Sequence, residues 1–492
     1  MMRNYFRASP LTFSVAIMLV FLAACSSPEA DEAEEVGEGP TEWDRGLPPT
    51  SVLPVVGGMW PARGTIHIHT PYSHDACDGL GYDEETGKID EDCLEELRFG
   101  ACKTRQDYLS LTDHPSFMSS QPFEDLFLVR RDEDELVLDE GGSPIAAWWQ
   151  CDNGHRVLVR VGFEAGLMPI GLSGHTSDDV EERHRLYRSR TVEAVEELRE
   201  VGGFVVIPHP EGWSIEEIRE LEPDGIEFYN MHANIDPTIR GPLLGVPPME
   251  PIEILFEVVF EPDESLVPDV AGLGVIELFD AHLERWHAVS LDRPTLGVAA
   301  NDAHQNVLSD PTTDGERIDS FRRIMRWFNN YLLLPEGAKP SPETIRDAKR
   351  ARRSYMAFDV VCTPAGVDLL LEDADGDIVG RMGDLVSLSG ADAGDLTIHA
   401  SMPVCHGGWA RAGRKPDVNM TLVRVHGDGG EPVVEVLASG DGDLAVSLPG
   451  PGMYYYRVDV MPTHLLNWLG QNRYEYLREV PWVLTNALHV EL

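Results

Sequence analysis

The stretch GTIHIHTPYSHDACDG, residues 64–79, places His67, His69, His74 and Asp75 at the end of an apolar run. Alternate residues of a strand share a face, so His67 and His69 would project together where the strand stops. Taken alone, the pattern is equally a polar strand end in a loop. The same design recurs along the chain, however. DYLSLTDH (107–114) ends in Asp113 and His114, RVLVRVGFE (156–164) in Glu164, GFVVIPHP (203–210) in His209 and TLGVAANDAH (295–304) in Asp302 and His304. His175 follows in SGHT (173–176).

Two further apolar runs, DGIEFYN (224–230) and GVIELFD (274–280), bring the strand candidates to seven. Segments of helical periodicity lie between them: DCLEELRFGACKTRQ (92–106), RTVEAVEELREVGG (190–203), SIEEIRELEP (214–223) and AHLERWHAVSL (281–291). Alternation of this kind predicts a mainly parallel α/β fold, and seven strands over this length suit an irregular (β/α) barrel over residues 59–355. ERIDSFRRIMRWFNNYLLL (316–334) and SPETIRDAKRARRSYMAF (341–358) read as closing helices. Residues 116–155, with Trp148 and Trp149, interrupt the rhythm as an insertion, expected to be a hairpin near the site. Beyond residue 356 helical periodicity gives way to turn clusters and short strands such as PVVEVLAS, DLAVSLPG and MYYYRVDVM, which predict a small β-sandwich over 356–492.

In a parallel barrel every strand C-terminus opens on one face, so the scattered histidines and carboxylates converge there. Imidazoles with a few carboxylates suit Zn²⁺, Mn²⁺ or Fe²⁺ better than Mg²⁺ or Ca²⁺. The number of candidate ligands exceeds what one ion needs, so two or three ions are expected.

HIHTPYSHD, LSLTDH, GFEAG, VVIPHP and ANDAH resemble, in order, the motifs of the PHP (polymerase and histidinol phosphatase) metallohydrolases. The resemblance covers about residues 64–310 and implies a distorted seven-stranded barrel holding up to three metals. It implies one ion on His67, His69, Glu164 and Asp302, and a second on Glu164, His175 and His209. A third would lie on His114, His304 and either His74 or Asp75. Glu164 and Asp302 would thus hold the ions that carry the attacking hydroxide. ANDAH departs from the usual Ser-Asp-x-His, with Asn301 in place of the serine. Asp113 is expected to orient an imidazole. His232 and His282 follow apolar runs and are candidates for substrate contact.

The chain has 492 residues and a formal charge of −45, which repels nucleic acid and would repel a small anion unless bound cations reverse the field locally. Arg3 and Arg7 precede an apolar run too short to span a bilayer. LAAC resembles a bacterial lipoprotein lipobox, which implies cleavage before Cys25, lipidation of its thiol and, with Ser26 next, the outer membrane. An ordinary secretory signal is the alternative. Residues 26–58 are acidic and read as a disordered tether, so membrane contact is expected through the anchor only. Of the seven cysteines, the six after Cys25 favour disulfides, with Cys362 expected to pair with Cys405 and Cys77, Cys93, Cys102 and Cys151 among themselves. The expected activity is metal-dependent hydrolysis of a small phosphate mono- or diester. Carboxylic or carbamate ester hydrolysis and a non-catalytic surface-binding role are the alternatives. Arg63, Arg285 and Arg293 are candidates for an anion clamp.

Overall fold

The structure is a computed structural model, and it describes residues 43–260, 267–388, 395–406, 417–428, 431–461 and 478–491. Cys25, the leader and the first part of the expected tether lie outside the described residues. Seven strands frame the site: β1 (Met59–Ile68), β2 (Tyr108–Leu111), β3 (Arg156–Val161), β4 (Met168–Ile170), β5 (Phe204–Ile207), β6 (Gly225–Asn230) and β7 (Leu296–Ala303). Parallel pairing runs β3–β2–β1–β7–β6–β5. β4 is antiparallel to β5 and meets the end of β3 through a Gly162–Ile170 bridge. The Gly171 and Leu172 N–H groups add hydrogen bonds to Val161 O at 3.0 and 2.8 Å.

Three expectations change. GVIELFD is not a strand: Gly272–Val275 forms a short helix, and β4 supplies the seventh strand instead. A short apolar run does not by itself separate a buried strand from a buried helical turn. Both closing helices end early, at Trp327 and Arg350. Their remainders become strands, Asn329–Pro335 antiparallel to β1 and Ser354–Ala357 beside it. The apolar tails complete the sheet where β1 offers an unpaired edge, and tertiary pairing overrides helical periodicity.

One face of these strands buries Ile66, Tyr108, Leu158, Phe204, Val206 and Val298 against Ile345 and Ala348 of the helix Pro342–Arg350. The opposite face packs Leu109, Leu111, Val159 and Val205 against helix residues such as Leu94, Leu97 and Leu198. The 116–155 insertion contains the expected hairpin, Glu135–Leu138 with Pro144–Gln150, whose second strand pairs antiparallel with β3. Trp149 is fully buried, donates to Phe127 O at 2.9 Å and stacks under Arg98, so it is packing rather than a cleft wall.

The C-terminal strands continue this network. Ser354–Ala357 pairs with both Asn329–Pro335 and Val480–Thr485. Asn486 clamps Gly297 of β7, accepting from its N–H at 2.7 Å and donating to its carbonyl at 2.9 Å. Among the described residues no helix follows Arg350. Disulfides join Cys362–Cys405, as expected, and Cys77–Cys93 and Cys102–Cys151. Residues 43–58, expected to belong to the tether, are packed. Leu47 and Leu53 are buried, and Trp43 Nε1 donates to Asp269 Oδ2 at 2.6 Å. The aromatic and leucine side chains in this part supply the apolar area that the preceding acidic run lacks.

Lys349 is buried beneath the inner cluster, with its Nζ 3.4 Å from Ser110 Oγ and 5.8 Å from the Tyr108 ring centre. Burial, and then the nearby Arg160 charge, push its pKa down from 10.5 to about 7. The unfolded chain therefore binds more protons than the folded one between those values, so this lysine's destabilising effect is full below about pH 7 and fades as pH rises toward 10.5. Lys349→Met should raise stability by roughly 2–4 kcal/mol near pH 6, with little gain near pH 10. Urea denaturation at the two pH values measures the difference.

Candidate metal centre

The site forms where the strands end, and its backbone is unusual there. β1 changes register between Ile66 and Ile68 against both β2 and β7. Ile66 faces the inner cluster and Ile68 the outer one, so an extra residue, His67, interrupts the alternation. His67, His209 and Asp302 all take left-handed backbone angles, φ 65°, 46° and 47°. Such angles cost a non-glycine residue on the order of 1 kcal/mol or more and persist where surrounding structure enforces them.

Asp302 is the hub. Its Oδ1 lies 3.4 Å from His67 Nε2 and 3.4 Å from His69 Nε2. Its Oδ2 lies 3.1 Å from His209 Nε2 and 3.3 Å from His232 Nδ1. Asp75 forms a second focus, with Oδ2 at 3.1 Å from His114 Nε2 and 3.5 Å from His304 Nε2. Glu164 links the two, 2.7 Å from His114 Nδ1 and 3.8 Å from His209 Nε2. Donor atoms gather within 4.8 Å in four groups: His69–Asp75–His114–His304, His67–His69–Glu164, His67–His209–Asp302 and His232–Asp302–His304.

These rings share a plan, with one nitrogen facing the cluster and the other tied to an outer acceptor. His67 Nδ1 meets Glu227 Oε1 at 2.7 Å, and His69 Nδ1 meets Ser73 Oγ at 3.1 Å. His209 Nδ1 meets Glu211 Oε1 at 3.3 Å, His232 Nε2 meets Asp236 Oδ2 at 3.0 Å, and His304 Nδ1 meets Asp302 O at 2.9 Å. The inward Nε2 atoms of His67, His69 and His304 are buried and make no hydrogen bond, although carboxylates stand close by. Two ligands about 2.1 Å from a shared ion in tetrahedral geometry stand about 3.4 Å apart, the spacing seen at Asp302. The residues therefore fit a divalent cation, and outer carboxylates that fix ring orientation are the usual support of such ligands.

The electrostatics agree. Among the described residues, Asp75, Glu164 and Asp302 pair with imidazoles and with no lysine or arginine. Burial opposes ionisation of Glu164, but the His114 hydrogen bond and the charges of His67, His114 and His209 outweigh it and bring its pKa down to about 2. Asp302 is held well below the usual carboxylate range against its burial, by the charge of His67 and by the imidazoles of His209, His232 and His69 close to it. Burial, with His304, His114 and His67 around it, pushes His69 down to about 3, which leaves its imidazole neutral and able to bind a metal.

Not every expected residue joins. His175 is engaged at both ring nitrogens, by Tyr187 OH and by Gln121 O, each at 2.9 Å, and it enters none of the four groups. His74 is half exposed at the rim, 3.9 Å from Asp75, and of the two candidates at that corner Asp75 is the one brought in. Asp113 orients backbone rather than an imidazole, accepting from Thr70 N at 2.5 Å and Thr70 Oγ1 at 2.8 Å. His282 reaches the centre only through Glu211, 2.9 Å from its Oε2. Asn301 donates to Phe328 O at 3.1 Å. The three arginines lie elsewhere. Arg63 is buried against Tyr331, Arg285 holds Trp213 O, and Arg293 binds Glu222 O and Asp224.

Glu211, Glu227 and Asp236 were not singled out by the sequence reading. Glu227 had a signal: it is a carboxylate inside the apolar run DGIEFYN, and a buried charge calls for a partner. It accepts from His209 N at 2.9 Å and Asn230 Nδ2 at 2.8 Å while holding His67.

No family model and no curated protein matches the chain. Among solved structures it is similar to a two-domain protein containing a predicted PHP-like metal-dependent phosphoesterase from Bacteroides vulgatus. The two are 12% identical, with 93% of this chain and 100% of that chain covered, at a TM-score of 0.30. A likeness at that level carries no argument.

Glu227→Gln keeps the shape but removes the charge behind His67, and should weaken metal binding about 10–100-fold. Metal titration of the apoprotein reads this. His175→Ala should leave metal content unchanged, whereas His232→Ala should lower it.

Proposed function

We propose that this protein is an exported PHP-type metal-dependent hydrolase that cleaves a small phosphate mono- or diester. The reading rests above all on the buried Nε2 atoms of His67, His69 and His304, which face Asp302 and Asp75 without a hydrogen bond. Five motifs in the PHP order supply the residues of this cluster, His232 excepted. The Gly162–Ile170 bridge, joining the last strand of the series to the first, supports a distorted seven-stranded barrel with the cluster at its mouth. The C-terminal strands, several of them in one sheet with β1 and four in a separate sheet, are read as a β-sandwich that braces β7 through Asn486.

Two or three divalent ions, Zn²⁺, Mn²⁺ or Fe²⁺, would supply a water acidic enough to act as nucleophile near neutral pH. The protein's part is placement. Asp302 belongs to two donor groups, so its carboxylate is set to be shared between neighbouring ions. Glu164 holds His114 and approaches His209, which ties the two foci together. His232, braced by Asp236 and about two-fifths exposed, stands where an incoming ester would pass. In a chain of charge −45 whose described lysines and arginines make no ion pair with Asp75, Glu164 or Asp302, bound cations would be the means of retaining an anionic substrate. That argument favours phosphate esters over neutral carboxylic or carbamate esters, and it disfavours nucleic acid.

Three disulfides fit an oxidising compartment, which supports export. Anchoring to the outer membrane through a lipid on Cys25 is proposed on the sequence alone.

Protein purified without chelator should carry two or three divalent ions per chain and hydrolyse bis(p-nitrophenyl) phosphate or p-nitrophenyl phosphate. Glu164→Ala and His209→Ala should each lower metal content and reduce turnover at least about 100-fold. Turnover of p-nitrophenyl acetate with neither phosphate would move the assignment to carboxylic esters. Protein that binds ions and cleaves none of the three would favour a binding role.

A further inference from the structure

A cavity of about 270 Å³ opens beside the metal centre, and its walls are of two kinds. On one side stand Asp75, Asp302, His304 and His232, which belong to the donor groups. On the other stand Met231, Leu255, Ile318, Ile324 and Trp327, all buried. Among the described residues no lysine or arginine lines it.

Most of the remaining polar groups are already committed. Asp319 Oδ2 accepts from Val307 N at 2.7 Å and Leu308 N at 3.0 Å, while Oδ1 accepts from Arg317 Nε at 2.6 Å. The Asn306 amide donates to Asp75 O, and the Asn301 amide nitrogen to Phe328 O. Away from the donor cluster, Asn301 Oδ1 is a buried acceptor with no hydrogen bond. A sugar or nucleotide arm would surrender its hydration here and recover little of it, at a cost of about 1–3 kcal/mol for each unmatched hydroxyl. A hydrocarbon arm meets matching surface.

Resting on the phosphate-ester reading above, we infer that the organic arm of the substrate is apolar and uncharged, about the size of an aromatic ring or a branched alkyl group. It seats in this cavity while the phosphate meets the ions. On hydrolysis, water's oxygen bonds to phosphorus, the P–O bond to the arm breaks, and the departing alcohol takes a proton. The cavity thus discriminates among esters by their alcohol, and the metal centre by their anion.

Non-hydrolysable phosphonates test the cavity apart from turnover. Calorimetry on metal-loaded protein should show phenylphosphonate binding at least about tenfold tighter than methylphosphonate. Leu255→Trp, which fills the cavity, should erase that preference while leaving metal content and methylphosphonate binding intact. If the substitution costs the protein its ions, Ile235→Trp, at the half-buried rim, repeats the test. Equal affinity of the two phosphonates for the wild-type protein overturns this inference and leaves the proposed function standing. Failure of both to bind protein that carries its ions overturns the phosphate reading, and this subsite with it.

Discussion

Carboxylates and imidazoles gather at one end of the strands with no described lysine or arginine paired to Asp75, Glu164 or Asp302, and that imbalance shapes the site. Asp75, Glu164 and Asp302 face the cluster, while Glu211, Glu227 and Asp236 back its rings. Removing so many carboxylates from water is costly unless positive charge is close. Protonated histidines can supply some of it, but His69 is held neutral by its burial and its neighbours. A divalent cation would answer the charge and would also engage the inward nitrogens that protein groups leave alone.

Backbone geometry follows from the same demand. A regular strand would put Ile66 and Ile68 on one face and His67 and His69 on the other, yet Ile66 and Ile68 are buried in separate clusters while both rings reach Asp302. The register shift in β1 and the left-handed angles of His67, His209 and Asp302 resolve this by local distortion. The surrounding pairings hold these residues in place. β7 lies between β1 and β6, and Asn486 grips its start from the C-terminal sheet. The C-terminal strands therefore bear on the site although they contribute no donor to it.

The centre and its cavity divide recognition by physical character. The donor cluster is polar and fit to carry cations, whereas the adjoining wall is largely hydrocarbon with most of its polar groups already hydrogen-bonded. Acidic surface keeps anions at a distance in general, so on the proposed reading selectivity would depend on a short-range cationic focus next to an apolar surface.

The sequence by itself determined where the strands carrying His67, Asp113, Glu164, His209 and Asp302 would end, because period-two and apolar runs closed by polar residues are local signals. It also indicated imidazole–carboxylate chemistry and the Cys362–Cys405 pair. The fate of GVIELFD, the strand at Met168–Ile170 and the strands that replaced helix ends at Asn329 and Ser354 were decided by tertiary pairing, since an apolar segment takes whichever form its neighbours can hydrogen-bond and bury. His175 turned to Tyr187 and Gln121, while His232, Glu211, Glu227 and Asp236 entered the site's two shells. Motif order names which side chains stand near a strand end, but ring direction depends on the partner behind each nitrogen, and only the folded chain brings that partner within hydrogen-bond reach.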